Sequence, residues 1–237
     1  MSASANSILA HLRSVDAERR RRAASTELAA RVHALKTYQQ RRFSQGYGDL
    51  LSSSRYGPAA RFFLEELYGP RDFSERDAQF ARVVPALVRL FPDEIVATVD
   101  VLAELHALSE VLDTLTAGHL PGTHVDAAAY LRAWQAAGRP ADREKQVVLT
   151  LRVGESLDRL TRNPLLRHSL RMMRGPAKAA GLGELQHFLE SGFDTFKAMN
   201  GAKEFLASIG TRERAFAREL FGADPGRLGD TALGQLP

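Results

Sequence analysis

Four residues at helical spacing, His106, Ser109, Glu110 and Asp113, make up the most chemically suggestive group in the sequence. The step of four from His106 to Glu110 puts a carboxylate within reach of an imidazole, which could orient the ring as a base or as a metal ligand. The same spacing serves a buried histidine satisfied by a neighbouring carboxylate or carbonyl, and that structural reading is preferred, with no catalytic residue assigned. Tyr68 and Arg76, from the aromatic and charged passage upstream, join His106 and Glu110 in a candidate ligand pocket among helices.

Other histidines offer less. A di-iron bundle needs Glu-x-x-His on two helices and two further glutamates, whereas Glu184-Leu185-Gln186-His187 is the one match. His119, His124 and Asp126 sit in GHLPGTHVD, where Pro and Gly read first as a turn. No metal site is expected. Haem is the alternative cofactor, with His106, His168 or His187 as axial ligand in a globin-like pocket, though no proximal signature supports it. Phosphate-binding, dinucleotide and serine-hydrolase motifs are absent, and so is cysteine, which excludes disulfides and thiolate chemistry.

The charge is uneven. The net charge is +4, yet residues 1–55 carry ten Arg or Lys against four acids. Arg19, Arg20, Arg21 and Arg22 are the strongest partner signal, a contact for an acidic protein or a phosphate backbone, weighed against a solvated collar. No helix-turn-helix pattern accompanies them, so specific DNA reading is not expected. No apolar run approaches the length of a membrane span, and the basic cluster follows the N-terminal apolar stretch, the wrong order for a secretory signal. A cytoplasmic protein without a membrane partner is the expectation, its oligomeric state left open. Few lysines among many Ala, Leu and Arg suggest a GC-rich bacterial genome.

The elements that must position these residues are helices, for 3.6-residue periodicity runs nearly throughout and no strand alternation is convincing. The spacing predicts a helix over 6–44 and others near 58–68, 74–91, 93–117, 125–137, 141–162, 164–174, 182–199 and 202–221. Residues 93–117 are apolar on two sides and read as the central buried helix. Arg19, Arg22 and Thr26 interrupt the stripe begun by Ile8, Leu12 and Val15, so the N-terminal segment is expected to project. The domain organisation follows: a basic helical extension over 1–24, one all-α bundle of about seven to nine helices over 25–222, and a disordered tail over 223–237.

The passage RYGPAARFFLEELYGPRDFSERD reads as a helix–helix corner in which Phe62 and Phe63 set the geometry while charges cap and pair. FFLEELYGPRDFSERD, LHALSEVLD and GLGELQHFLESGFDTFKAMNGAKEFLASIGTRE together resemble a family of uncharacterised, all-helical, mostly proteobacterial proteins over about residues 35–215. That resemblance implies a single helical domain and carries over no activity or site. The functional expectation is a non-enzymatic adaptor or regulator acting through its N-terminal helix. The alternatives are a small-ligand or haem sensor with its pocket at His106, and an enzyme using His106 and Glu110.

Overall fold

The N-terminal run that reads as one helix is two. Helix α1 (Ala3–Ala23) stops, Ser25 adopts extended angles, and its hydroxyl accepts from the Leu28 amide at 3.2 Å to open α2 (Thr26–Gly46). That hydroxyl satisfies one of the amides a helix leaves open at its start. The structure, a computed structural model, describes residues 3–67, 70, 72–224 and 236–237.

The all-α expectation holds among the described residues, with no strand. After α2 come α3 (Gly48–Ser52), α4 (Gly57–Phe62) and a π-helical turn over Phe63–Leu67. The chain continues through α5 (Ser74–Leu90), α6 (Asp93–Gly118), α7 (Ala127–Ala137) and α8 (Pro140–Leu160). It ends with α9 (Pro164–Met172), α10 (Arg174–Ala179), α11 (Gly183–Ala198) and α12 (Lys203–Gly222). Helices beyond the expected number come from the break at Ser25 and from the short α3 and α10. Pro176 does not prevent α10, because it occupies the first turn, where its missing amide is not needed.

Helix α6 is the hub: α1, α2, α5, α7 and α8 all pack on it, while α11 and α12 close the bundle through α4, α5, α7 and α8. The apolar core is in three parts. One gathers Leu35, Tyr38, Leu131 and Trp134 between α2 and α7. Another gathers Phe43, Phe63, Phe196 and Phe205 around the corner. The third packs Ile8 and Leu12 of α1 on Val84 and Val96. Phe63 stands 6.0 Å from the Phe196 ring and 5.9 Å from Phe205, so the corner is built by aromatics as expected. Gly192 lies mid-stripe on α11 because Phe62 crosses there; a Cβ would come within 3.0 Å of its ring.

The projecting extension must be corrected. Ile8, Leu12 and Val15 are buried, and α1 packs on α5 and α6. The arginines that seemed to end its apolar stripe are accommodated because acids from α5 and α6 meet them, the condition under which burial of a guanidinium is tolerated. The expected disordered tail falls largely outside the described residues; Ala223 and Leu236, which are described, rest against the first core cluster.

Candidate functional site

Where the three core clusters meet, the side chains leave a cavity of about 150 Å³. One part of its wall is apolar: Leu12 from α1, Phe80 from α5, Val99 and Leu102 from α6, and Phe188 and Leu189 from α11. The other part is polar, supplied by Lys36, Gln39, Ser109, Asp113, Arg143 and Gln146 from α2, α6 and α8. His106 and Glu110 lie on the wall between helices, and Arg42 and Glu213 extend it toward a side chamber of about 40 Å³.

Helix α6 supplies the acidic row because His106, Ser109, Glu110 and Asp113 recur at three- and four-residue steps and so share a face. The partners differ from those the sequence suggested. His106 Nε2 lies 2.7 Å from Asp77 Oδ2 of α5, not against Glu110. Asp77 also accepts from Arg19 at 2.6 Å. Burial acts to raise Asp77, but His106 and Arg19 outweigh it and hold the carboxyl below its ordinary range. An ionised carboxylate only accepts, so the ring donates from Nε2. Nδ1 has no hydrogen bond to a described residue.

Glu110 is shared by two cations. Arg22 donates to its carboxylate and, at 2.6 Å, to its main-chain carbonyl, with a further bond to Thr114 at 2.9 Å. Lys36 donates to the other carboxylate oxygen at 2.6 Å. Burial alone would raise Glu110; Lys36 and Arg22 instead bring it down to about 2. Three residues on, Asp113 has weaker support: Gln39 donates at 3.2 Å and Lys36 stands 3.8 Å away. There burial wins, and the Asp113 carboxyl is raised. Two carboxyls one turn apart thus have opposite proton affinities, set by how many cations reach each.

Arg143 from α8 closes the polar end. It donates to Thr116 at 2.9 Å and to Gln146 at 3.2 Å, and lies 3.8 Å over the Trp134 ring. Gln146 donates to Ser109 at 2.8 Å. Arg42 is forked on Glu213 at 3.0 and 3.2 Å, and Tyr47 donates to the same carboxylate at 2.7 Å. Two buried donors nearby, Arg42 Nε and Trp134 Nε1, have no acceptor among the described residues.

Of the residues expected in a pocket, His106, Glu110 and Arg76 line the cavity. Arg76 donates to the Glu66 carbonyl at 3.0 Å, with Phe73 and Phe188 rings 4.1 and 4.4 Å from its guanidinium carbon. Tyr68 lies outside the described residues. The arginine run divides: Arg19 and Arg22 turn inward, Arg20 pairs with Asp16 on the surface, and Arg21 lies 3.9 Å from Glu18. As four free cations for a partner, the run must be corrected. His168 and His187 are exposed on α9 and α11, away from the cavity wall. A void of this volume matches one that holds benzene.

Lys36, Gln39, Arg42, Arg143, Gln146 and Glu213 were not anticipated from sequence. Their signal was present but weak: Lys36, Gln39 and Arg42 recur every third residue beside the buried Leu35, Tyr38 and Phe43. Among the described residues no cluster of three or more His, Cys, Asp or Glu could hold a metal ion.

The chain belongs to a family defined by a domain of unknown function (DUF8198), whose model matches residues 18–227. The match starts within α1, so it takes in the arginine run that the resemblance read from sequence left outside. No curated protein and no solved structure matches the chain.

Proposed function

We propose that this member of a family of unknown function binds a small organic acid in its central cavity, apolar body against α5, α6 and α11, carboxylate toward Lys36 and Arg143. The observation that carries this reading is the cavity itself. It is a recess at the meeting of helices, apolar over one wall and with convergent polar groups over the other, the usual form of a small-molecule site. A tightly packed bundle has no reason to keep a void on this scale with charges around it, since each unfilled volume costs stability. The two buried donors without an acceptor, Arg42 Nε and Trp134 Nε1, favour an anionic head over a cationic one. This places the small-ligand alternative ahead of the adaptor, because Arg19 and Arg22 are already engaged by Asp77 and Glu110. A bacterial, cytoplasmic setting remains part of the proposal.

Trp134 is the single tryptophan and lines the cavity, so its emission reports on the site. Titration with benzoate and with benzylamine, equal in body and opposite in charge, decides the matter. Benzoate should change Trp134 emission saturably and raise the melting temperature, benzylamine should do neither, and Ala103→Leu, which fills the void, should abolish the benzoate response. Silence toward benzoate, or an equal response to both compounds, overturns the proposal.

A further inference from the structure

A second basic stretch has a different character. From Arg159 to Gly183 the chain carries six Arg or Lys and no acid. Within this segment α9 buries none of its residues. Its inner side is tied to α11: Gln186 donates to the Leu170 carbonyl at 2.6 Å, and Arg167 is forked on Asp194 at 2.6 Å. Its apolar arc is wider than α11 covers. Leu165 and Met172, seven residues apart and so on one face, are 71% and 66% exposed, and Met173 beside them is 49% exposed.

Acids from outside the segment pair with Arg159, Arg162, Arg167 and Arg174. Arg171 and Lys178 have no ion pair to a described residue. The Arg159–Glu94 contact at 3.2 Å brings the end of α8, from which α9 departs, beside the start of α6. The exposed Leu90 and Phe91 precede that start, so the apolar surface at this end of the bundle is not confined to α9.

We propose that α9 lies on the surface of an anionic lipid bilayer, with Leu165, Met172 and Met173 entering the headgroup boundary and Arg171 and Lys178 reaching lipid phosphates. A raised helix with an apolar edge flanked by unpaired cations has the form of an interfacial helix, and cations near such a surface each add to binding. A second copy of the chain fits poorly, because a two-fold contact would set one basic face against another. An acidic protein is a weaker match, because α9 offers one exposed helix edge rather than a groove. The expectation of no membrane partner rested on the lack of a spanning helix. Among the described residues no helix is indeed long and apolar enough to cross a membrane, but a surface helix needs no such length.

The test is sedimentation of the full chain with vesicles of phosphatidylcholine alone and of phosphatidylcholine mixed with phosphatidylglycerol. The chain should pellet with the mixed vesicles and not with the neutral ones, and the partition should weaken as salt is added. Leu165→Glu with Met172→Glu should cut the partition by about tenfold or more, as should Arg171→Glu with Lys178→Glu. Unchanged circular dichroism is expected for both pairs, since α9 buries no side chain of its own. No pelleting with mixed vesicles overturns the proposal. So does pelleting that survives Leu165→Glu with Met172→Glu while soluble polyglutamate competes for it, which would mark a site for acidic protein. A dimer in gel filtration that this pair of substitutions dissolves would assign the ridge to a second copy instead.

Discussion

Glu110 ties three helices together through one buried carboxylate. Its carboxylate meets Arg22 and Lys36 inside the bundle, and removing one partner of a buried ionic group leaves the others uncompensated. Glu110→Gln should therefore lower the unfolding free energy by about 3–5 kcal/mol in urea titrations at neutral pH. The pH dependence has a defined sign. The folded carboxyl titrates at about 2 against an ordinary 4.5, so the unfolded chain takes the proton first. The stabilising contribution is complete above about pH 4.5 and is lost as pH falls toward 2. Asp113 acts in the opposite sense: raised above 3.8, it contributes below that pH and loses its contribution as pH rises through its folded value. Glu110→Gln should flatten the acid limb of the stability profile, and an unchanged limb would show that the two cations do not hold this carboxylate.

At the scale of elements, α1 is the decisive case. Its apolar stripe seemed to end at Arg19 and Arg22, yet those side chains reach Asp77 on α5 and Glu110 on α6. Ile8, Leu12 and Val15 are buried with them. Each such side chain contributes roughly 1.5–3 kcal/mol, and a domain of ordinary stability has only about 5–15 kcal/mol in total. Deletion of residues 1–22 should therefore abolish cooperative thermal unfolding or lower the melting temperature by well over about 10 °C. A truncated chain that melts like the full one would mean that α1 only rests on the bundle.

For the whole molecule, the arrangement around α6 predicts a gradient of local stability. Five helices pack on α6, and its interior row is tied by ion pairs to α1 and α2. Helix α9 touches only α10 and α11 among the principal pairings and buries nothing of its own. Amide exchange follows local opening, slowest where burial and contacts are densest. The amides of α6 should exchange last and those of α9 first among the helices longer than one or two turns. Protection of α9 equal to that of α6 in the absence of lipid would contradict this ordering.

The sequence determined the helical class, because a 3.6-residue stripe has one economical way to be buried. It placed α6 at the centre from its two apolar sides and made a corner of Phe62 and Phe63. It also located His106, Ser109, Glu110 and Asp113 on one face, since that follows from spacing within a single helix. Only the tertiary structure decided what those side chains meet. Asp77 reaches His106 across 29 positions, and Arg22 and Lys36 reach Glu110 across 88 and 74. Local periodicity carries no information about contacts at such separations, and for that reason two arginines of a run weighed as a solvated collar, Arg19 and Arg22, belong instead to an inward-facing ionic network. The cavity has the same origin. It is volume left between three apolar clusters, a property of how helices pack and not of any one of them.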